Sequence, residues 1–220
     1  MPHGLYREEE LALPHPAVPL SVFLVVEAAL RATWELMLTK PRGTFRLERE
    51  NEDPTTCELC ERLCNEVFNR KIVEGFDRTL FSKPTREPKV TNYNGQTIDK
   101  MPDLALDLVD RPPVRVPAQD WLFIECKPVR RGRSIGEHYC KRGVIRFVDG
   151  DYAWAMQEAL MVGYADEGYT IADKLAPALR KRGSTVRTLT PPIPCPRSQA
   201  TNWSEPAPPI HLRHLWLKRH

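Results

Sequence analysis

The sequence predicts an α/β (α+β) domain with a mixed central β-sheet of about four to five strands flanked by helices. Two segments with helical spacing of apolar residues, 19–39 and 53–71, come first. Short apolar runs typical of strands follow, most clearly at 103–109 and 121–127. With 220 residues, the chain is long enough to bury one substantial core.

The first helix, 19–39, is predicted to be amphipathic rather than membrane-spanning. Three charged residues interrupt its apolar run, namely Glu27, Arg31 and Glu35. The second helix is expected to begin at Asp53-Pro54, an N-cap acid followed by proline at the first helical position, and to run to about Lys71. The polar, proline-rich residues 1–17 are expected to be loosely ordered.

The strand predictions rest on residue alternation and on turn signals. A strand near Lys89–Tyr93 is expected before Asn94-Gly95, a strong hairpin-turn signal. In Asp103–Val109, leucine alternates with other residues. Trp121–Lys127 is almost entirely apolar, which is typical of a central strand buried on both faces, and Pro128 is expected to end it.

The remaining segments are predicted to be one more strand and two helices. The strand is Gly143–Val148, and a helix capped by Asp149-Gly150-Asp151 is expected to run to about Ala165. Ile171–Lys181 is predicted to be the last helix.

Composition divides the chain into three parts. Residues 1–44 form an N-terminal extension and helix, 45–185 the main domain, and 186–220 a Pro-rich basic tail. Seven of the 21 prolines lie within 191–209, so this tail is expected to be extended or disordered.

The charge distribution indicates a weak preference for a polyanionic partner. The net charge is only +3, but residues 177–220 carry eight Lys or Arg and one acid. The acidic start MPHGLYREEE does not resemble a secretory signal. Six cysteines without such a signal favour reduced thiols, so we expect a cytoplasmic protein with no membrane partner.

The most informative residues are two acids and a lysine on the two best-predicted strands. Glu125 and Lys127 are two residues apart, so their side chains project from the same face of a strand. Buried charges must be paired or bound to a metal. Together with Asp103 they predict a site for a divalent cation, and the alternative is an ion pair at the end of a strand.

The pattern Pro102-Asp103, followed by Glu125-Cys126-Lys127 on an apolar strand, resembles the PD-(D/E)xK nuclease superfamily. The resemblance covers roughly residues 45–165 and implies a restriction-endonuclease-like fold. It also implies that Asp103, Glu125 and the carbonyl of Cys126 bind Mg²⁺, for which Mn²⁺ could substitute. Lys127 would then orient or activate the attacking water.

The same resemblance suggests two further site residues. Many members add an acid from the preceding helix, for which we choose Glu52; the alternative is a solvated first-turn acid favoured by the helix dipole. Gln157 lies where some members place a glutamine that contacts the site or the DNA. Met161, however, stands where their tyrosine would be.

A basic segment follows the proposed catalytic strand and is predicted to bind the phosphates of a nucleic acid. The alternative is a solvated, charged loop. Its candidate residues are Arg130, Arg131, Arg133, Lys141 and Arg142.

Cys57, Cys60 and Cys64 are spaced along one face of the predicted second helix, so buried packing is expected. A zinc or iron–sulfur site is the alternative.

The leading hypothesis is therefore a Mg²⁺-dependent nuclease that hydrolyses DNA phosphodiester bonds by attack of water. The alternative is a non-catalytic module that keeps a nuclease-like fold and binds nucleic acid or protein, and a third hypothesis is a metal-binding scaffold built on the cysteine helix. DNA is favoured over RNA. No target-recognition domain can be seen in 220 residues, so any sequence specificity is expected to come from a partner protein, a homodimer or the terminal extensions.

Overall fold

A computed structural model describes residues 13–47, 51–93, 95–181, 192–193 and 210–219. It has an α/β fold in which a mixed sheet is flanked by helices. Five strands have five or more residues, and a sixth has two. The strands are β1 (Phe81–Arg86), β2 (Leu104–Leu108), β3 (Trp121–Val129), β4 (Glu158–Ala165), β5 (Pro192–Ile193) and β6 (Ile210–Lys218).

Three of the helices in the described residues combine α and π geometry along their length. The α-helical segments are α1 (Leu20–Thr39), α2 (Glu52–Arg62), α3 (Ile145–Val148) and α4 (Ala176–Arg180). A π-helical stretch, Leu63–Phe68, continues α2. Two others, Ile135–Val144 and Ile171–Leu175, lead into α3 and α4 respectively. Ile135–Val144 and α3 together are called the 135–148 helix below.

The sheet has the order β1-β2-β3-β4-β6-β5, and its pairing changes direction at β3. β2 is antiparallel to both β1 and β3, whereas β3, β4 and β6 run parallel. The predicted central, two-side-buried strand is confirmed, because β3 is buried along nearly its whole length between β2 and β4.

Helices cover both faces of the sheet. On one face, the Trp34 ring of α1 stacks on Tyr164 of β4 at a centroid distance of 5.2 Å. On the other, Tyr139 of the 135–148 helix packs edge-on against Trp216 of β6 at 5.9 Å and shares a hydrogen bond of 2.9 Å with His214 Nδ1. Both layers and the sheet contribute to a single hydrophobic core.

Two adjacent predictions, a strand at 143–148 and a helix from 149 to 165, are wrong, because the order is reversed. Residues 143–148 are helical, and Ser134 caps their helix by accepting a hydrogen bond from the Glu137 backbone N–H at 3.4 Å. The second half of the helix predicted next is instead the buried strand β4, and residues 151–157 before it have no regular secondary structure. Its Ala, Leu and Met residues favour a helix in isolation, but a position between two parallel strands overrides that preference.

Pro128 does not end β3, which continues to Val129. The Cys126 N–H points toward the β2 side, where Asp103 accepts its hydrogen bond. Two residues later, Pro128 faces the same side, but β2 pairs with β3 only as far as Ile124. The missing N–H of the proline therefore removes no hydrogen bond from the β2–β3 ladder.

The expectation of a disordered C-terminal tail is wrong for residues 210–218. They form β6, which pairs with β4 along eight residues and is largely buried. Residues 192–193 form β5, while 182–191 and 194–209 lie outside the described residues. At the other end, residues 1–12 also lie outside them, but His15 is fully buried, contrary to the loose order expected up to residue 17.

The strand expected near Lys89–Tyr93 is only a single bridge between Val90 and Lys100, and β1 lies further upstream. β1 is an edge strand that contains Pro84 and an irregular register, and such features obscure the sequence signal of a strand. Asn94 lies outside the described residues, but Gly95 adopts the positive φ of a turn.

The predicted boundaries of the first two helices and of the last one agree with the structure to within a few residues. In the described part of the chain, no helix combines the length and apolar character needed to cross a membrane.

Candidate active site

The candidate site lies where β2 begins beside β3. In the antiparallel β2–β3 ladder, Leu104 pairs with Ile124 and Ala105 with Phe123. Extending this register by one residue places Asp103 opposite Glu125. Lys127 follows on the same face of β3 as Glu125. The sheet register thus joins the three residues that the sequence analysis singled out.

The ammonium group of Lys127 lies among three carboxylates. Its Nζ is 2.7 Å from Glu125 Oε1, 2.6 Å from Glu52 Oε1 and 3.6 Å from Asp103 Oδ2. It also donates to the backbone carbonyl of Cys126 at 2.9 Å. All the oxygen atoms that the resemblance implies as metal ligands therefore surround this one nitrogen atom.

Glu52 reaches this cluster from the start of α2. Asn51, rather than Asp53, is the N-cap residue of that helix, so Glu52 lies in its first turn. One turn later, Thr56 is 3.0 Å from the Tyr164 hydroxyl, which anchors α2 to β4. This packing directs Glu52 to the Lys127 ammonium group, and the Glu52 side chain, in the first turn of the helix, stays 25% exposed.

Asp103 is held by the backbone of β3. The Cys126 N–H donates to Asp103 Oδ2 at 2.6 Å, which fixes the carboxylate at the end of β2. Burial, helped by the neighbouring Glu125 carboxylate, raises the pKa of Asp103 to about 7, while Lys127 opposes the shift. Near neutral pH, this carboxyl group is therefore part protonated in the metal-free protein.

Glu125 is fully buried, and both of its oxygen atoms accept hydrogen bonds. The Tyr152 hydroxyl donates a short hydrogen bond to Oε2, and Arg146 Nη1 donates to Oε1 at 3.3 Å. Burial raises the pKa of Tyr152 well above its usual value, and Glu125 adds to the shift, so the phenol remains a donor.

Tyr152 and Arg146 were not among the predicted site residues. Their segment was taken for a strand and the start of a helix, which concealed that it folds back over β3. The sequence offered a weak signal in Gly143-x-x-Arg146, a glycine and an arginine about one helical turn apart in the segment between β3 and β4.

Lys127 remains charged in this environment. Burial acts to lower its pKa, but the carboxylates of Glu125, Asp103 and Glu52 together outweigh that effect and raise it above the ordinary value of 10.5. Lys127 in this closed arrangement is therefore an ammonium donor rather than a general base.

The thiol of Cys126 lies on the opposite face of β3, as alternation along a strand requires. It hydrogen-bonds with Tyr164, and burial raises its pKa well above the ordinary value. Only the backbone of Cys126 takes part in the site.

The donor set fits a hard divalent cation such as Mg²⁺. Three carboxylates face the two cations Lys127 and Arg146, which leaves one negative charge when Asp103 is ionised. The described residues contain no group of three or more His, Cys, Asp or Glu side chains placed to hold a metal ion on their own. Mg²⁺ in enzymes typically uses one or two carboxylates and completes its shell with water and substrate phosphate. Asp103, Glu125 and the Cys126 carbonyl would hold it here.

The predicted phosphate-binding residues occupy different positions around this site. Arg130 Nη2 donates to Asn51 Oδ1 at 3.1 Å, next to Glu52. Lys141 forms an exposed ion pair with Glu137 at 3.2 Å. Arg131 and Arg142 are exposed and Arg133 is half-buried. Among the described contacts, the cations that reach the carboxylates are Lys127 and Arg146.

The predicted position of Gln157 is wrong, because it lies just before β4 rather than on a helix. Its side-chain amide donates to the His15 carbonyl at 2.8 Å. Gln157 therefore anchors the N-terminal segment in this structure.

The cysteine helix packs largely in the core. Cys60 and Cys64 are buried, and Cys57 is half-buried. The Cys64 thiol donates to the Pro84 carbonyl of β1 at 3.4 Å. The pKa of Cys60 is raised, mainly by its hydrogen bond with Cys64 and to a smaller extent by burial. These contacts agree with the expected packing role.

Comparison with known proteins adds no assignment: no protein-family model, curated protein or solved structure matches this chain. The function must therefore be inferred from the geometry of the site.

Proposed function

We propose that this protein is a Mg²⁺-dependent nuclease of the restriction-endonuclease-like class that hydrolyses DNA phosphodiester bonds. One observation carries the proposal, namely that three carboxylates and a backbone carbonyl converge on a single buried ammonium group at the meeting of β2 and β3. Buried charges of this number are expensive to maintain, so a role beyond stability is favoured.

The residues can be assigned separate tasks. Asp103, Glu125 and the Cys126 carbonyl would bind the ion, and Glu52 would hold its water or a second ligand. When bound, the ion would lower the pKa of water and neutralise charge on the reacting phosphate. Lys127 would leave its carboxylate partners, orient the attacking water and stabilise the developing negative charge through its ammonium group.

A second candidate function follows from the burial of the site and from the hydrogen bonds that its charged groups already form with one another. Glu125 accepts hydrogen bonds at both oxygens, and Lys127 is only 5% exposed. A domain that binds nucleic acid or protein without hydrolysis could keep such a cluster as a structural ion network. This candidate predicts binding without cleavage.

The test uses purified protein and its Glu125→Ala and Lys127→Ala variants. Linear, circular and single-stranded DNA and an RNA of the same sequence are incubated with each, in Mg²⁺, Mn²⁺ or EDTA. The proposal predicts metal-dependent cleavage of DNA by the wild type and its loss in both variants. Equal behaviour of the three proteins contradicts a nuclease, and cleavage of the RNA alone contradicts the choice of DNA.

The variants need a folding control, because removing one partner of a buried ion pair is strongly destabilising. Thermal melting of each protein identifies a variant that has merely unfolded. Lys181→Ala changes an exposed lysine outside the site and serves as the matched control for Lys127→Ala.

A further inference from the structure

We propose that Arg146 binds a phosphate of the nucleic-acid substrate next to the scissile bond. The inference rests on the proposed nuclease function and adds a substrate-binding group to the same site. Arg146 lies in the 135–148 helix, and its Nη1 is 3.3 Å from Glu125 Oε1.

Arg146 differs from Lys127 in how accessible its charge is. The Lys127 side chain is 6% exposed, and its ammonium contacts three carboxylates. The Arg146 side chain is 43% exposed and holds Glu125, which is fully buried, through a single long contact. An incoming phosphate can therefore reach the guanidinium of Arg146 without first breaking a buried ion cluster.

The chemistry of the side chain suits this role. A guanidinium carries five N–H donors, and the interactions of Arg146 are with Glu125 and Tyr152. The donors on its exposed side remain available for two phosphate oxygens, a bidentate geometry that favours arginine over lysine. The three carboxylates of the site outnumber its two cations, and of those two Arg146 is the more exposed one that a phosphate can reach.

Gly143 brings Arg146 to this position. A Cβ at Gly143 would lie 2.7 Å from Met161 Cε and 3.3 Å from Lys127 Cγ. Glycine thus lets the 135–148 helix lie directly on β3 and β4. Arg146 follows three residues later on the same face of that helix, which places it above Glu125.

The chain then turns back to complete the same site. Gly150 adopts a positive φ of 71° and allows the turn after α3. Tyr152 follows and donates to Glu125 Oε2. The segment from Gly143 to Tyr152 therefore supplies a phosphate-binding arginine and a tyrosine that positions the carboxylate.

The experiment compares Arg146→Ala and Arg146→Lys with Arg78→Ala, which removes an exposed arginine outside the site. Two readouts are taken on one short DNA duplex. The first is the single-turnover cleavage rate in Mg²⁺, and the second is affinity in EDTA over a series of salt concentrations. Thermal melting establishes that each variant is folded.

The expected result for Arg146→Ala is a cleavage rate reduced by roughly 10²–10³-fold. Its DNA affinity should fall. The magnitude of the slope of log affinity against log salt concentration should decrease by about 1, as expected for the loss of one phosphate contact. Arg146→Lys should recover part of the affinity but little of the rate, because lysine cannot bind in bidentate fashion. Free guanidinium should partly restore the rate of Arg146→Ala and leave Arg78→Ala unchanged.

The inference is overturned if folded Arg146→Ala matches Arg78→Ala in affinity, salt slope and rate. It is also overturned if Arg146→Ala loses activity only in proportion to its unfolded fraction. A wild type that binds DNA but never cleaves it refutes the nuclease function, and the EDTA binding arm then still decides whether Arg146 contacts phosphate.

Discussion

Lys127 Nζ lies 2.7 Å from Glu125 Oε1 in the interior of the protein, where Glu125 is fully buried and Lys127 is 5% exposed. Two more carboxylates, from Glu52 and Asp103, share the same ammonium group. In the proposed function, a divalent cation takes the position of this ammonium group. The proposed mechanism depends on exchange between this ammonium group and a metal ion.

The first prediction concerns Lys127→Met, which removes the ammonium group but keeps a long side chain. The negative charges of the three carboxylates are then no longer balanced by the ammonium group. The free energy of unfolding in EDTA should therefore fall by about 3–5 kcal/mol. Mn²⁺ should restore more stability to this variant than to the wild type.

Urea denaturation with and without Mn²⁺ measures both effects, with Lys181→Met as the exposed control. An unchanged free energy of unfolding, or an equal response to Mn²⁺ in all three proteins, would contradict a shared cation position.

The second prediction concerns Tyr152→Phe, which removes one hydroxyl and leaves Glu125 Oε2 without its donor. The loss of a hydrogen bond to a buried carboxylate should lower the free energy of unfolding by about 1–3 kcal/mol. Because Glu125 is also less well oriented, the cleavage rate should fall while DNA affinity is retained. Tyr169→Phe, at a half-buried tyrosine outside the site, is the control. A Tyr152→Phe variant as stable and active as that control would show that the hydroxyl has no such role.

The third prediction compares two glycines of the 135–148 helix. At Gly143, a Cβ would lie 2.7 Å from Met161 Cε, the movable end of a buried side chain, and 3.3 Å from Lys127 Cγ, so Gly143→Ala should destabilise the protein by about 1 kcal/mol and reduce cleavage. At Gly136, the nearest atom to a Cβ is Ser134 Oγ at 3.7 Å, so Gly136→Ala should be neutral or stabilising. Thermal melts and cleavage rates of the pair measure the difference. Equal effects would mean that the close approach at Gly143 is not required.

The fourth prediction concerns pH. In the folded protein the pKa of Asp103 is about 7, against an ordinary value of 3.8, and burial is the main cause. When the pH lies between 3.8 and 7, Asp103 in the folded state retains a proton that it has released in the unfolded state. The contribution of Asp103 to stability therefore declines as pH rises from 3.8 to 7 and is constant above 7.

Asp103→Asn removes this titration. Relative to the wild type in EDTA, its free energy of unfolding should increase as the pH rises through that interval, with a slope of at most ~1.4 kcal/mol per pH unit. Urea denaturation at a series of pH values measures the difference. If the difference in free energy of unfolding between the two proteins does not vary with pH, the folded-state pKa of Asp103 lies at its ordinary value.

Strong local signals made part of this fold and site predictable from sequence. β3 is a continuous apolar run that ends in Glu125 and Lys127, and α2 begins at an acidic, proline-containing turn. The register that sets Asp103 opposite Glu125 is seen only in the structure, because predicting the two strands does not fix which of their residues pair. The choice of Glu52 combined the resemblance, which implies an acid from the preceding helix, with its place at the start of that helix.

The failures occurred where tertiary context overrides local preference. β4 is rich in Ala, Leu and Met, and only its place between β3 and β6 makes it a strand. β6 follows a long proline-rich segment, which disguised a buried strand as part of a tail. Reversing the helix and strand between 143 and 165 also misplaced Gln157 and concealed Arg146 and Tyr152.

The most direct test of the metal-dependent site is the cleavage rate of Asp103→Asn above pH 7. The asparagine oxygen can still accept the hydrogen bond from the Cys126 N–H, and the variant should be at least as stable as the wild type. Thermal melting establishes whether the variant is folded, so that a loss of activity can be separated from unfolding. We predict that the wild type cleaves DNA in Mg²⁺ and that folded Asp103→Asn is slower by at least roughly 10²-fold. Cleavage by Asp103→Asn at the wild-type rate, or no cleavage by the wild type with either Mg²⁺ or Mn²⁺, would contradict a metal-dependent nuclease site.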